Sequence, residues 1–524
     1  MQDILAKTED YKNCPRKEYA WNGSVHTPIL NAAAKTLHGI EAGNITIVRP
    51  DLRWVAKEDV DPAGKMVDFA MVVKDALILT SSVRQKLALE AASAGLGASS
   101  FASINHTVDS YAPLQLAPIA VSIENYGTTY TGVSYCETSD TGLNENHIEV
   151  VNNWPSRHTK IGTKEKVPSE IAYSPDGAQW GSLIPPNVPR HMWTKLQLDR
   201  LQTGEAAEVI KEQQLSAQSL NKQPVDIIAD FLQHVKDHVL KTLDEEYRRE
   251  AGFNNTCFPF LKKTPLTTEP EAAAIYTIKT LRGTTQDQRL AVDDGFVICD
   301  MGGGTVDLIS YRVAELQPTI VEEATVGTGD QCGGSFIDRA FIQWLERRLG
   351  ATHFFKIAGC HSEDMPRTSL TPKLGRMVQD FILEAKTGFS GNETNFLRLP
   401  APLNAIEEDA ARGISDGEIL ITPEDMIKMF EPPIRKTCEL IDGQIKQAQQ
   451  TSKVKLKYLF MVGGFSESPY VYSKIKEFVE TKGLKTIRPA YAWSAVVRGA
   501  AAKGLQGDGH LPIRNRKCRR HYAG

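Results

Sequence analysis

The stretch Phe296-Val-Ile-Cys-Asp300-Met-Gly302-Gly303-Gly304-Thr305-Val-Asp307 sets an apolar run, an acid, three glycines, a threonine and a second acid in direct succession. Four consecutive apolar residues read as a buried strand. Glycines, lacking Cβ, let backbone N–H groups approach phosphate oxygens. Thr305 adds a hydroxyl, and Asp300 and Asp307 supply carboxylates able to hold Mg²⁺ or orient a water. A tight hairpin with capping acids would also use glycine, but three in a row cost such a turn conformational entropy. Phosphate binding is the better reading.

Two further glycine turns flank this one. Glu124-Asn125-Tyr126-Gly127-Thr128-Thr129-Tyr130-Thr131-Gly132 follows a strand-like run at 118–123 and offers hydroxyls beside glycine. Leu459-Phe-Met-Val-Gly463-Gly464-Phe465-Ser466-Glu467-Ser468-Pro469 joins a buried strand to a helix start. No Gly-Lys-Ser/Thr follows any of the three, and the Rossmann fingerprint is missing. Three separated glycine turns imply a ligand held between lobes.

The surrounding chain supports an α/β fold. From 125 to about 512 strand-like and helix-like segments alternate. Pro224 opens a helix whose stripe of Ile228, Phe231, Leu232, Val235, Val239 and Leu243 should face a core. Residues 1–124 carry helical spacing at Val25, Ile29, Ala33 and Leu37 and strand-like runs at 45–48, 66–73, 76–79 and 118–123.

A length of 524 residues implies more than one core. Sixty Lys and Arg against 64 Asp and Glu leave a net charge of −4, which argues against a general nucleic-acid binder. No apolar run approaches the roughly 20 residues of a membrane span, and the start lacks a secretory pattern. A cytoplasmic location is expected. The eight cysteines stand singly, with no Cys-x-x-Cys pair to hold zinc, and read as reduced packing thiols.

Together these motifs resemble the ATPase domain of the seventy-kilodalton heat-shock chaperones, within the actin and sugar-kinase superfamily. Gly127-Thr128-Thr129-Tyr130 is similar to that family's first phosphate loop, Asp300 to Asp307 to its second, and Gly463-Gly464 to its adenosine loop. Thr268-Glu269-Pro270-Glu271-Ala-Ala-Ala-Ile-Tyr276 and Trp493-Ser-Ala-Val-Val-Arg498-Gly499 resemble its two lobe-connecting segments. Gly329-Asp330-Gln-Cys-Gly333-Gly334-Ser-Phe-Ile-Asp338 resembles a further glycine loop near the phosphates. Pro189-Arg-His-Met-Trp193-Thr-Lys195-Leu and the ending Arg-Arg-His-Tyr resemble a divergent branch common in filamentous fungi.

The resemblance implies a two-lobed actin-like ATPase fold over 121–512, built from duplicated RNase H-like domains. It implies ATP or ADP with Mg²⁺ as cofactors, and protein clients or co-chaperones as partners. By the same resemblance, Thr128 and Thr129 contact phosphates, and Gly302, Gly303, Gly304 and Thr305 cradle the β/γ end. Glu269 and Asp300 hold Mg²⁺ through its waters, Asp307 helps orient the attacking water, and Lys195 faces the phosphates. Gly463, Gly464, Lys386 and Ser390 border the adenosine. No membrane or nucleic-acid partner is expected, and 513–524 form a basic tail.

Departures from the pattern point to slow or impaired hydrolysis. Asn125 stands where the family places an Asp of the Mg²⁺ cluster, and Trp493 stands where it usually has Asp. By the same resemblance, a core strand and helix of the first lobe are expected to be missing between Leu243 and Thr268. The rival readings are a catalytically dead scaffold and, less well matched, an actin-fold sugar kinase.

Residues 1–120 resemble part of a nuclease-like domain of the PD-(D/E)XK superfamily. There Asp68 and Glu124 would be the carboxylates, while Tyr126 occupies the lysine position. DNA cleavage is not expected without that lysine. The run at 118–123 is expected to pair with the ATPase lobe and leave the front segment loosely packed.

Overall fold

The computed structural model describes residues 41–42, 69–73, 119–124, 126–137, 148–157, 165–198, 203–251, 263–264, 266–282, 290–316, 319–452, 454–506 and 513–515. The expected helix at Val25 to Leu37, the runs at 45–48 and 76–79, Asp68, Asn125 and the tail beyond 515 lie outside the described residues.

Two sheets organise two lobes. The first lobe holds β1 (Phe69–Val73), β2 (Ile119–Glu124), β3 (Tyr130–Glu137), β4 (Glu149–Val150), β5 (Val167–Pro168), the hairpin β6 (Ile171–Ser174) with β7 (Gly177–Trp180), and β8 (Leu266–Thr268). Its main sheet runs β8-β1-β2-β3-β4, with β5 pairing on β3. The second lobe holds β9 (Gly295–Met301), β10 (Val306–Leu316), β11 (Thr319–Glu323), β12 (Thr328–Asp330), β13 (Asn395–Arg398), β14 (Ile414–Ser415), β15 (Glu418–Ile421), β16 (Leu456–Val462), β17 (Lys485–Ile487) and β18 (Ile513–Asn515). Here the order is β17-β16-β9-β10-β11-β18, with β12 on β10 and a small separate sheet β13-β15-β14. The two-lobed actin-like expectation holds.

The helices that matter for the site are α1 (Gly204–Ser219), α2 (Pro224–Ala251), α3 (Glu269–Arg282), α4 (Ser335–Leu349), α5 (Pro423–Gln447), α6 (Pro469–Thr481) and α7 (Ala495–Gln506). The stripe on α2 faces the first-lobe core as its periodicity predicts: Phe231, Val235, Val239 and Leu243 are buried with Val133 and Trp180. Helices α3 and α7 contact each other and contribute Ala272, Ala273, Ala495 and Ala500 to a core shared with Phe296, Ile309 and Val462. Small residues let these two helices approach closely; a Cβ on Gly499 would collide with the carbonyl oxygen of Ala272.

The front of the chain differs from expectation. Strand β1 lies antiparallel between β8 and β2, pairing Phe69 with Thr268 and Met71 with both Leu266 and Ile123. The position where a first-lobe strand was found wanting is thus filled from the N-terminal segment. Strand β2 pairs with β3 as expected but also with β1, and a division after residue 120 falls inside it. Among the described residues no helix is long and apolar enough to cross a membrane. Cys299, Cys332, Cys360 and Cys438 are free thiols.

Candidate nucleotide site

A cavity of about 400 Å³ opens between the lobes, lined by Gly127 to Tyr130 on one side and Gly302 to Thr305 on the other. The first loop closes as a turn, with Gly127 N–H donating to Tyr130 C=O at 3.1 Å. Strand β5 is annealed just beyond it, where Ser169 N–H donates to Thr129 C=O at 2.9 Å.

The triple glycine is shaped by the glycine pair that starts α4. Gly334 N–H donates to Gly302 C=O at 3.1 Å, Ser335 N–H to Gly303 C=O at 2.8 Å and Gly333 N–H to Gly304 C=O at 3.2 Å. A trans peptide points its C=O and N–H in opposite directions. Three carbonyls turned toward α4 therefore direct the N–H groups of Gly303, Gly304 and Thr305 away from it. Glycine is required by space as well: a Cβ on Gly303 would collide with Thr129 Oγ1, and one on Gly304 would stand 2.9 Å from Thr128 Cγ2. Gly333 does not line the cavity; its Cβ would sit 2.5 Å from the Gly303 carbonyl, so it acts as the floor beneath the loop.

Carboxylates come from both lobes. Asp300 and Asp307 are directly opposed across β9 and β10, so both side chains leave the same face, and both line the cavity. Glu269 reaches it from the first turn of α3. That helix starts where it does because Thr268 Oγ1 accepts the N–H of Glu271 at 3.3 Å, with Pro270 in the first turn. Lys195 Nζ donates to Glu269 Oε1 at 2.9 Å, both side chains only 8% exposed. Lys195 is aimed by a tight turn in which Leu196 N–H donates to Trp193 C=O at 2.9 Å. Trp193 takes a left-handed φ of 54°, a conformation costing a side-chain-bearing residue about 1–3 kcal/mol.

The wall is completed by Ile382, Thr387, Phe430, Gly463, Gly464, Phe465, Glu467 and Trp493. The Trp493 indole lies against Gly464 and meets the Tyr130 ring edge-on at 6.1 Å. Lys386 lines the cavity and donates to Gly334 C=O at 2.7 Å and Asp338 Oδ1 at 2.6 Å. Burial pushes the Asp338 carboxyl up, and Lys386 pulls it back. Ser390 stands outside the cavity wall; it donates its backbone N–H and its hydroxyl to Glu393. Tyr126 bonds Thr194, and burial holds its phenol well above the ordinary value, so it carries no charge a nuclease could use.

Sequence reading missed several lining residues: Lys166, Glu170, Met192, Trp193, Ser335 and Asp338. Lys166 and Glu170 enter because β5 pairs with β3, a register that no local pattern announces. Asp338 was legible in principle, since it sits in the first turn after Gly333-Gly334.

The residues fit a nucleotide with Mg²⁺. Two loops of outward amides and hydroxyls suit phosphate oxygens, and apolar and aromatic walls suit a base. Among the described residues no three His, Cys, Asp or Glu side chains cluster to hold a metal by themselves. Mg²⁺ usually takes one or two carboxylates and completes its shell with phosphates and water. Asp300 and Glu269 would be those carboxylates.

Helix α1 straps the cleft's rim. Toward the first lobe, Gln213 donates to Met192 C=O at 2.9 Å and accepts from Gln197 at 2.6 Å. Toward the second, Glu212 accepts the N–H groups of Arg367 and Thr368 at 2.8 and 3.2 Å. Glu205 pairs with Arg339, and Glu208 with Arg367. Gln331 accepts the N–H of Ala206 at 3.1 Å.

Comparison with known proteins agrees with this geometry. A family model described as PD-(D/E)XK nuclease superfamily matches residues 1–129. Heat shock 70 kDa protein 12A of Homo sapiens is 21% identical over 508 residues, covering 77% of this chain and 71% of that protein. Heat shock 70 kDa protein 12B of Homo sapiens is 25% identical over 241 residues, 42% of this chain and 33% of its own length. The Chaperone protein HscA homolog of Acinetobacter baumannii (strain AYE) is 29% identical over 142 residues, and the chain spans only 22% of that relative. A family model described as Hsp70 protein matches residues 202–513, well over half of the sequence, and the chain belongs to the Hsp70 family.

Proposed function

We propose that residues 121–512 bind ATP or ADP with Mg²⁺ between the lobes and hydrolyse ATP slowly, in a chaperone-like protein with protein clients or co-chaperones. The observation that carries this is the meeting of two glycine loops from opposite lobes, Gly127 to Thr129 against Gly302 to Thr305, around one cavity. The bound Mg²⁺ would neutralise charge on the phosphates during transfer. Asp307 would orient the attacking water, Lys195 would face the phosphates, and Lys386 would stand at the nucleoside end. Ser390, bonded to Glu393, would border the adenosine from just outside the cavity wall. Slow turnover follows from Asn125, which leaves the metal cluster one negative charge short.

A second reading, a scaffold that binds nucleotide without turning it over, gains support from the Lys195–Glu269 ion pair, which already engages one metal-holding carboxylate. One experiment separates them. MgADP at about 100 times its dissociation constant should stabilise the fold by about 2.7 kcal/mol in thermal unfolding; no shift at millimolar nucleotide defeats both. In steady-state hydrolysis Asn125→Asp should raise the rate and Asp307→Ala should abolish it. Turnover absent in both wild type and Asn125→Asp leaves the scaffold.

A further inference from the structure

The stretch that matches a nuclease family model, residues 1–129, includes both β1 and β2. Strand β8 is the outermost strand of the first-lobe sheet, and the strand it bonds to is β1. Their antiparallel register sets Leu266 opposite Met71, Thr267 opposite Ala70 and Thr268 opposite Phe69. On its other side β1 pairs Met71 with Ile123, Val72 with Ser122 and Val73 with Val121. Just upstream of β8 a second pairing repeats the arrangement: Lys263 and Thr264 lie parallel to Glu41 and Ala42. The backbone from 263 to 268 is thus bonded twice by the N-terminal segment. Helices α3 and α7 also contact β1. Strand β8 runs directly into α3, so its last residue, Thr268, adjoins Glu269 of the cavity wall. Glu269 is 6% exposed and Thr267 3%.

We propose that β1 is a donor strand supplied by the nuclease-like segment, and that it holds Glu269 in place in the cavity wall. The segment then works as part of the nucleotide-binding lobe, and nucleotide affinity depends on residues outside 121–512. The effect on affinity rests on the nucleotide reading of the cavity; the strand pairing does not. Main-chain bonds carry the affinity of an added strand, so a segment of foreign sequence can complete a sheet. Strand β8 is only three residues long, and its buried N–H and C=O groups need the partner that β1 provides. A carboxylate on the first residue of a helix is placed no more firmly than the strand that leads into it.

The test is amide hydrogen exchange on the full chain, with MgADP affinity measured alongside, for wild type, Met71→Pro and Met71→Val. Met71 faces both Leu266 and Ile123, so its N–H serves one ladder or the other. Proline removes that N–H, whereas valine keeps it. In wild type, amides of 69–73 and 266–268 should exchange about 100-fold or more slower than unstructured chain. Met71→Pro should speed exchange at 266–268 and weaken MgADP binding about tenfold, with Met71→Val like wild type. Exchange of 69–73 at the unstructured rate in wild type overturns the proposal. So does Met71→Pro that keeps 266–268 protected and binds MgADP equally well. Wild type that binds no MgADP removes the nucleotide reading instead, and exchange at 266–268 in Met71→Pro still decides the donor strand. Should Met71→Pro fail to fold, Met71→Gly, which keeps the N–H but weakens a strand, should show smaller changes in the same direction; no change in either readout overturns the proposal.

Discussion

Ser390 and Glu393 show how a residue-scale contact differs from what a motif suggests. Resemblance places Ser390 at the adenosine, yet its hydroxyl and N–H both serve the Glu393 carboxylate, whose pKa they hold down at about 2. A depressed carboxyl stabilises the turn above its unfolded value near 4.5, and that contribution disappears as pH falls through about 2. In Ser390→Ala the Glu393 pKa should climb partway toward 4.5, since backbone donors remain; NMR titration of its side chain checks this. An unmoved Glu393 would show that the backbone alone sets its value. The glycines, Thr128, Thr129 and both aspartates were legible because their chemistry is written in consecutive residues. Trp193 was not, because a positive φ leaves no trace in composition.

At the scale of elements, the crossing of α3 and α7 depends on Gly499. A methyl group there meets the Ala272 carbonyl, which is backbone and cannot swing aside as a side-chain tip could. Gly→Ala within a helix normally gains about 1 kcal/mol in propensity, whereas overpacking typically costs about 1–3 kcal/mol or more. The collision should win, so Gly499→Ala lowers stability by about 2 kcal/mol, read as a reduced urea midpoint at constant m. A raised midpoint would mean the helices separate freely. The same crossing buries Glu271, which Lys503 meets at 2.6 Å while also donating to Thr267 at 2.9 Å. Strands β9 and β16 and helix α2 could be read from apolar runs and stripes. The place of β1 could not, because its partners at 121–123 and 266–268 are specified by register across long stretches of chain.

For the whole molecule, α1 bridges the lobes, bonded to Met192 and Gln197 on one side and to Arg367, Thr368 and Arg339 on the other. Its partners lie far apart in sequence, Glu212 from Arg367 by 155 positions, so no motif could disclose it. On the proposed function, release of nucleotide by parting the lobes would break the pairs of Glu205 with Arg339 and of Glu208 with Arg367. Partly exposed pairs are worth up to about 1 kcal/mol. Arg367→Ala should therefore speed release of a fluorescent ADP analogue about fivefold in stopped-flow chase, and added salt should speed wild type in the same direction. Release unchanged by either would place the barrier elsewhere.

Two buried thiols beside the glycine loops have a consequence for oxidative damage. Cys299 immediately precedes Asp300 on β9, and Cys332 immediately precedes Gly333. Burial pushes Cys332 up to about 12 and Cys299 well above its ordinary value. Thiolate is the species that peroxide attacks, and burial disfavours it at both sulfurs. Burial in the folded lobe should therefore slow sulfenic acid formation at Cys299 and Cys332.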